Sequence, residues 1–237
     1  MIFPLLLLLL SLHFSHSRGV NLEKITSHAT FNKEWEVSNP LPHYIPSGTL
    51  TYLDRGAQCY AFLSEDQRYV VKFFRMKNLK NAKRLSEVFS AAKDACEILS
   101  EETGVVYAHL NRTKEIKREV LLIGRRGEKV RVSLDEVPFI VQVRAEPLGH
   151  YLERHIEKGD LEGARRAIIL VEKLIRTREE KGFFDLDVVK SSNYGFIGER
   201  PMQIDIGGIV RSAGCPMKDL DGWVRRHYPQ LFEEKLL

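Results

Sequence analysis

The chain has 237 residues, 43% of them hydrophobic, and its formal net charge at pH 7 is +4. This apolar fraction is that of a folding chain and excludes a largely disordered one. The length exceeds the usual size of a single hydrophobic core only modestly, so we expect one compact unit. The basic residues are scattered and lack the interleaved aromatic residues of a nucleic-acid-binding groove, so we expect no nucleic acid as a partner.

Residues 2–14 form an apolar run, with leucine unbroken from position 5 to position 10, and the small-x-small triplet Ser15-His16-Ser17 follows. This pattern predicts a secretory signal peptide over residues 1–17, since the run is too short to span a membrane comfortably. No Lys or Arg precedes the run, so a short membrane anchor or a mis-assigned start is the alternative. We expect an exported or membrane-associated protein if the signal is real, and a cytoplasmic one otherwise.

The first regular elements are predicted after an N-terminal extension over residues 18–49. Residues 53–63 are predicted to form a strand, a tight turn that contains Gly56, and a second strand. Another turn leads to a third strand over residues 69–74, which places Lys72 among apolar and β-branched neighbours. A lysine in such a strand is tolerated only if its charge is paired or reaches solvent.

A helix is predicted over residues 81–102, where apolar residues recur at i, i+3, i+4 and i+7. It carries two glutamates, Glu87 and Glu97, as candidates to pair with Lys72. Four β-strands are then expected, and the last of them leads into a hinge; they cover residues 105–110, 120–123, 130–134 and 139–143.

The C-terminal part of the chain is predicted to be short and mostly helical. Helices are expected over residues 150–158 and 161–180, and Gly182 ends the second of them. One last helix is expected after residue 207. The three cysteines are odd in number and show no paired spacing, so no disulfide framework is implied. The histidines lack the spacing of a zinc site.

The most informative segment lies near the C-terminal end. Strands predicted over residues 194–197 and 202–206 form a hairpin that brings Asn193 and Asp205 to the same end. Carboxylate and amide oxygens are hard ligands of the kind that Mg²⁺ prefers. Asp187 lies just before the hairpin, where a base or a substrate-orienting group is needed. This layout is typical of a phosphotransferase catalytic core.

The order of these residues resembles the protein-kinase-like superfamily, which has a catalytic Asp, a downstream Asn and, after a hairpin, a metal-binding Asp-x-Gly. Asp187, Asn193 and Asp205 match these positions in order, with one extra residue between the first two and with Asp185-Leu186 in place of His-Arg. The motifs Asp-x-Asp, Asn-Tyr-Gly-Phe and Gln-Ile-Asp-x-Gly also resemble those of an uncharacterised bacterial kinase-like family.

The resemblance implies a bilobal α+β fold of protein-kinase-like type. A β-rich N-lobe would cover residues 50–146, and a reduced helical C-lobe would cover residues 147–237. The implied cofactors are ATP and Mg²⁺, with an unknown protein or small molecule as the phosphate acceptor. Asp187 would orient or deprotonate the acceptor hydroxyl, and Asn193 and Asp205 would hold Mg²⁺.

The resemblance also assigns the N-lobe residues that would bind nucleotide, which are Gly56, Gln58, Lys72, Glu87, Gln142 and Arg144. The lysine would hold the α- and β-phosphates, and the first two residues would lie in the turn that covers them. The glutamate would hold the lysine, with Glu97 as the second choice. Backbone groups between residues 142 and 146 would meet the adenine edge.

Two functions from different classes remain open. The first is an ATP-dependent phosphotransferase, which the joint presence of Lys72, Asn193 and Asp205 favours. The second is a catalytically inactive kinase-like module, a pseudokinase, that is exported or anchored and binds a partner protein. Asp54 favours the second, because it stands where the kinase loop has a glycine and would repel phosphates. A signal peptide also conflicts with ATP, which is scarce outside the cytoplasm. Each polar residue of the motif has a structural alternative as a loop cap or as a partner for buried backbone.

Overall fold

The computed structural model describes residues 20–38, 45–187, 190–212 and 220–232. The expected signal peptide or anchor over residues 1–17 lies outside the described residues, as does Cys215. Within these four segments, no helix combines the length and the apolar character needed to cross a membrane.

The N-lobe is built around a sheet of seven strands. These are β1 (Thr49–Arg55), β2 (Cys59–Leu63), β3 (Tyr69–Phe74), β4 (Val105–His109), β5 (Glu119–Ile123), β6 (Lys129–Ser133) and β7 (Phe139–Val143). Their order in space is β4-β7-β3-β2-β1-β5-β6, and every neighbouring pair is antiparallel except β1 and β5. Strand β7 is buried from Phe139 to Gln142, which accounts for its nearly unbroken apolar sequence.

Residues 20–38, which belong to the predicted N-terminal extension, pack onto the N-lobe. They include the short helix α1 (Leu22–Ile25), whose last residue is fully buried. Trp35 packs edge-on against Phe89, with ring centroids 4.9 Å apart. This segment therefore contributes to the hydrophobic core of the N-lobe.

Helix α2 (Ala82–Glu97) packs its apolar face against the sheet, and a single helical turn, α3 (Ser100–Thr103), follows it. The prediction of one continuous helix over residues 81–102 is therefore wrong at its C-terminal end. The hydroxyl of Thr103 lies within hydrogen-bond distance of two carbonyl oxygens, that of Leu99 at 2.7 Å and that of Ala95 at 2.9 Å. A side chain of α3 therefore contacts the C-terminal end of α2.

In its described residues, the C-lobe contains three α-helices and two small sheets. Its elements are β8 (Glu146–Pro147), α4 (Leu148–Glu157), α5 (Leu161–Glu180), β9 (Phe183–Asp185), β10 (Tyr194–Ile197), β11 (Arg200–Gln203), β12 (Ile209–Arg211) and α6 (Leu220–His227). One sheet has the order β11-β10-β8, and the other pairs β12 with β9. Tyr151 of α4 stacks on Phe196 of β10 with ring centroids 4.0 Å apart, which joins the helices to the hairpin.

A β-rich lobe followed by a mainly helical lobe confirms the bilobal α+β arrangement that the sequence predicts. The helix predicted over residues 161–180 coincides with α5. The predicted hairpin is present, but its turn is shorter than expected, because Arg200 and Pro201 already pair with β10. The predicted lobe boundary between residues 146 and 147 falls within β8.

Candidate functional site

The loop that carries Asp187 is organised by Asp185, the last residue of β9. Asp185 is buried, and its Oδ1 accepts a hydrogen bond from the backbone N–H of Asp187 at 2.9 Å. Gly208 lies so close that a Cβ at its position would clash with the carboxylates of both residues. Asp187 itself is exposed. Asp185 therefore shapes the loop, and Asp187 is accessible for chemistry.

The hairpin places Asn193 and Asp205 at the same end of the β-ribbon. The backbone carbonyl of Asn193 accepts hydrogen bonds from the backbone N–H groups of Ile204 at 2.7 Å and Asp205 at 3.2 Å. Asn193 is buried, whereas Asp205 is exposed and its Oδ1 accepts a hydrogen bond from the N–H of Gly207 at 3.2 Å. The two residues predicted to hold Mg²⁺ are thus adjacent in space.

Lys72 lies on β3 and reaches from the N-lobe to the C-lobe. Its Nζ donates a hydrogen bond to the carbonyl oxygen of Ile204 at 2.5 Å. Burial lowers the pKa of the Lys72 amine, and the nearby Asp205 carboxylate opposes that shift. Lys72 is therefore held beside the segment that carries Asp205.

Glu87 does not pair with Lys72, which corrects the expectation from the sequence. Glu87 is exposed and forms its ion pair with Arg84, because the buried face of α2 is formed by apolar residues. Glu97, the second choice, accepts a hydrogen bond from the backbone N–H of Ser38 at 2.9 Å. Across the described part of the chain, no carboxylate forms an ion pair with Lys72. A backbone carbonyl of the C-lobe, that of Ile204, accepts a hydrogen bond from Lys72 instead.

The turn between β1 and β2 is held in shape by Arg75, which follows β3. Its Nη1 donates to the carbonyl oxygens of Gly56 at 2.9 Å and Ala57 at 3.2 Å. Gln58, in the same turn, reaches across to the C-lobe, where its Nε2 donates to the carbonyl oxygen of Gly207 at 3.2 Å. A Cβ at Gly56 would meet no described atom within 4 Å, so this glycine borders open space.

Gln142 and Arg144 are poorly placed for the predicted backbone contact with adenine. Gln142 lies inside the sheet, opposite Val70 of β3 on one side and Val105 of β4 on the other. The backbone N–H of Arg144 donates to the carbonyl oxygen of Arg68 at 2.9 Å. This corrects the expectation. The backbone of Gln142 pairs with strands on both sides, and the N–H of Arg144 is already bonded within the N-lobe.

Gln203 and Arg178 form a buried polar cluster that the sequence analysis did not assign to the site. Nε2 of Gln203 donates to Asp185 Oδ2 and to the carbonyl oxygen of Asp205, both at 2.9 Å. Nη1 of Arg178 donates to Gln203 Oε1 at 2.5 Å. The sequence held one signal, since Arg178 continues the apolar face of α5 one turn after Ile175. A charged residue at such a position is buried only with partners.

The donor set at the hairpin end fits Mg²⁺. It combines the carboxylate of Asp205 with the amide residue Asn193. In the part of the chain that the structure describes, no three His, Cys, Asp or Glu side chains are grouped so as to hold a metal ion. Mg²⁺ commonly binds through one or two carboxylates and completes its shell with waters and substrate phosphates. These residues therefore fit a metal that is bound together with a phosphate ligand.

No family model matches the chain, and no curated protein matches it. The solved structures that are similar to it include those of WbdD, Cex1p and Rv3197. The bifunctional kinase-methyltransferase WbdD is 14% identical with a TM-score of 0.39, and the similarity covers 74% of this chain and 34% of WbdD. Cex1p is 14% identical with a TM-score of 0.39, over 78% of this chain and 31% of Cex1p. Rv3197 from Mycobacterium tuberculosis, solved in complex with erythromycin, is 13% identical with a TM-score of 0.30, over 76% and 52% of the two chains.

The chain therefore spans about a third of the length of WbdD and Cex1p and about half of Rv3197. At these TM-scores the likeness concerns only the general arrangement of the elements.

Proposed function

We propose that this chain is an ATP- and Mg²⁺-dependent phosphotransferase of protein-kinase-like type. The observation that carries the proposal is the contact of Lys72 with the segment that bears Asp205. Phosphoryl transfer needs a cation for the phosphates and a carboxylate for the metal close to one another. Asn193 supports the proposal, because its backbone carbonyl holds the N–H groups of Ile204 and Asp205.

Mg²⁺-ATP, when bound, supplies the phosphoryl group and the charge neutralisation that its transfer requires. The protein's own part is to bind and orient. Lys72 would exchange the carbonyl of Ile204 for a phosphate oxygen, and Asp205 and Asn193 would hold the metal. Asp187 orients the hydroxyl of a protein or small-molecule acceptor, or takes its proton.

A second candidate is a catalytically inactive kinase-like module that binds a partner protein. One contact favours it, since Gln58 donates to the carbonyl of Gly207. This side chain of the turn that would cover the phosphates is therefore bonded to C-lobe backbone. Asp54, exposed on β1, adds negative charge close to the turn that would cover the phosphates.

Thermal unfolding with ATP and Mg²⁺, with ATP and a chelator, and without ligand tests the proposal. At a ligand concentration 100 times Kd, binding adds about 2.7 kcal/mol of stability, which corresponds to a rise in Tm of about 5–10 °C. We expect Asp205→Asn to abolish the part of this rise that depends on Mg²⁺. We expect Lys72→Met to abolish the rise altogether, because the phosphates lose their cation.

Lys129→Met is the matched control, since it removes an exposed lysine from β6 at the far edge of the same sheet. It should respond to Mg²⁺-ATP as the wild type does. Equal shifts with and without Mg²⁺, or no shift in the wild type, would overturn the proposed site. A Mg²⁺-dependent shift without transfer of radiolabel from γ-labelled ATP to protein or water would select the inactive module.

A further inference from the structure

The side-chain amide of Gln203 lies at the centre of a buried polar network that joins both lobes. Three elements converge on Gln203: α5 through Arg178, the end of β9 through Asp185, and β7 through Gln142. All four side chains are buried. A group of this kind is stable only when each polar atom is satisfied.

The hydrogen bonds of this amide determine its orientation. Its oxygen accepts from Nη1 of Arg178, and its nitrogen donates to Oδ2 of Asp185 and to the backbone carbonyl of Asp205. Turning the amide over would set its oxygen against a carboxylate and a carbonyl and its N–H groups against a guanidinium. An amide NH₂ has two protons, and both have an acceptor here. Gln203 is therefore held in one orientation.

The two acceptors connect this amide to both acidic residues of the candidate site. Asp185 uses its other oxygen, Oδ1, to accept the backbone N–H of Asp187. Gln203 bonds to the backbone carbonyl of Asp205, so this bond does not occupy the Asp205 carboxylate. One amide thus sets the distance between the loop of Asp187 and the backbone of Asp205.

We propose that Gln203 is a positioning residue, which fixes Asp187 and Asp205 relative to each other. The metal ion and the acceptor hydroxyl would then be held at a fixed separation. This inference rests on the proposed phosphotransferase function. Gln203 touches neither metal nor substrate in this role, and it acts through Asp185 and Asp205. Replacing a residue that orients a metal ligand without binding the metal itself typically alters metal affinity by roughly 10–100-fold.

Gln142 provides a matched control within the same network. Its Nε2 donates to the carbonyl oxygen of Thr103 at 2.6 Å and to that of Gln203 at 3.3 Å. It is as buried as Gln203 and has the same side chain. No hydrogen bond joins its side chain to Asp185 or Asp205 in the described structure. Replacing it therefore removes comparable stabilising bonds without releasing either aspartate.

The experiment compares Gln203→Met with Gln142→Met, and the probe is MgCl₂ titrated at fixed ATP while Tm is recorded. We expect both variants to melt below the wild type. We expect only Gln203→Met to raise the half-saturating Mg²⁺ concentration, by roughly 10–100-fold. The shift produced by ATP with a chelator should be the same in all three proteins, because Lys72 is unchanged.

If Gln203→Met does not fold, Gln203→Glu provides a second variant for the same test. It keeps the oxygen that accepts from Arg178 and loses both N–H donors, so it should show the same increase in Mg²⁺ requirement. Equal Mg²⁺ midpoints for the wild type and either folded Gln203 variant would overturn the inference, as would an equal rise in Gln142→Met. If both Gln203 variants fail to fold, the residue is structural and the inference is also wrong. No Mg²⁺ response in the wild type would instead overturn the proposed function.

Discussion

Asp135 illustrates how one carboxylate organises a loop of the N-lobe. It accepts hydrogen bonds from the hydroxyl of Thr113 and from the backbone N–H groups of Glu115, Ile116 and Lys117. Burial by itself raises the pKa of Asp135, but these hydrogen bonds outweigh it and leave the pKa below its ordinary value. The ionised form is therefore the one that stabilises the fold.

The pH dependence of stability follows from this lowered pKa. A carboxyl whose pKa is lower in the folded state contributes stability above its unfolded pKa of about 3.9, and this contribution is lost as the pH falls through the folded pKa. We expect Asp135→Asn to lower the free energy of unfolding at pH 7 by about 1–3 kcal/mol, because its amide NH₂ faces a backbone donor. Urea unfolding at pH 7 and at pH 3 measures this. The difference between the two proteins should shrink at the lower pH, and a constant difference would contradict the role assigned to the charge.

Gly104 ends α3 with a left-handed backbone, φ +66°, and lies against the C-lobe. A Cβ at this position would be 3.1 Å from the sulfur of Met202 and would clash with its terminal methyl group. Met202 is almost fully buried in β11, so it cannot move aside without repacking. The glycine is therefore required both by its backbone conformation and by the close approach of the two lobes.

Gly127 allows the backbone effect to be measured without the packing effect. Its φ is +81°, and a Cβ there would meet no described atom within 4 Å. Gly127→Ala should cost only the backbone term, about 1 kcal/mol. Gly104→Ala should cost about 2–4 kcal/mol, because overpacking adds to the same backbone term. Denaturant midpoints of the two variants measure the difference. Equal losses would show that Met202 adapts freely.

Features that a local sequence pattern encodes could be predicted, and features that depend on contacts between distant residues could not. The apolar face of α5 repeats at helical spacing along 20 residues, so a local pattern was sufficient to predict it. The break between α2 and α3 was not predicted, because the apolar spacing of α2 continues past it to the buried Leu99. The partner of Lys72 is a backbone carbonyl 132 positions away, and a carbonyl has no signature in the sequence. The helix spacing expected from the resemblance therefore led to Glu87, the wrong partner.

The residues of the candidate site also differ in whether the sequence could predict their contacts. Asn193 and Asp205 could be paired from the hairpin pattern, because a hairpin relates its two ends by local geometry. The buried role of Gln142 could not be predicted, since it depends on which strands lie on each side of β7. Local connectivity was thus predictable, and contacts between the lobes were not.

At the scale of the whole molecule, helices α2 and α3 are bound to both lobes. Their apolar face packs on the N-lobe sheet, while three basic residues of the C-lobe bind their polar groups. Arg211 pairs with Asp94, Lys181 pairs with the buried Glu102 at 2.6 Å, and Arg200 donates to a carbonyl of α3 at 2.8 Å. These contacts, together with the network around Gln203, couple the lobes and predict cooperative unfolding.

The chain has two tryptophans, and each lobe contains one of them: Trp35 in the N-lobe and Trp223 in the C-lobe. Trp35→Phe and Trp223→Phe each leave a single tryptophan, whose emission reports on one lobe. We expect the fluorescence and far-UV circular dichroism midpoints to coincide within each variant during urea unfolding. Fluorescence that changes at a different urea concentration from the dichroism would contradict coupling between the lobes.

The link from Lys72 to Ile204 has a consequence for the protein during its synthesis. At about 5–20 residues per second, the ribosome needs roughly 7–26 s to add the 132 positions that separate them. Until then the growing N-lobe carries a lysine in an apolar strand with no C-lobe carbonyl to receive its proton. A chain cut short before Ile204 never gains that partner, so we expect incomplete copies to be less stable than full-length ones.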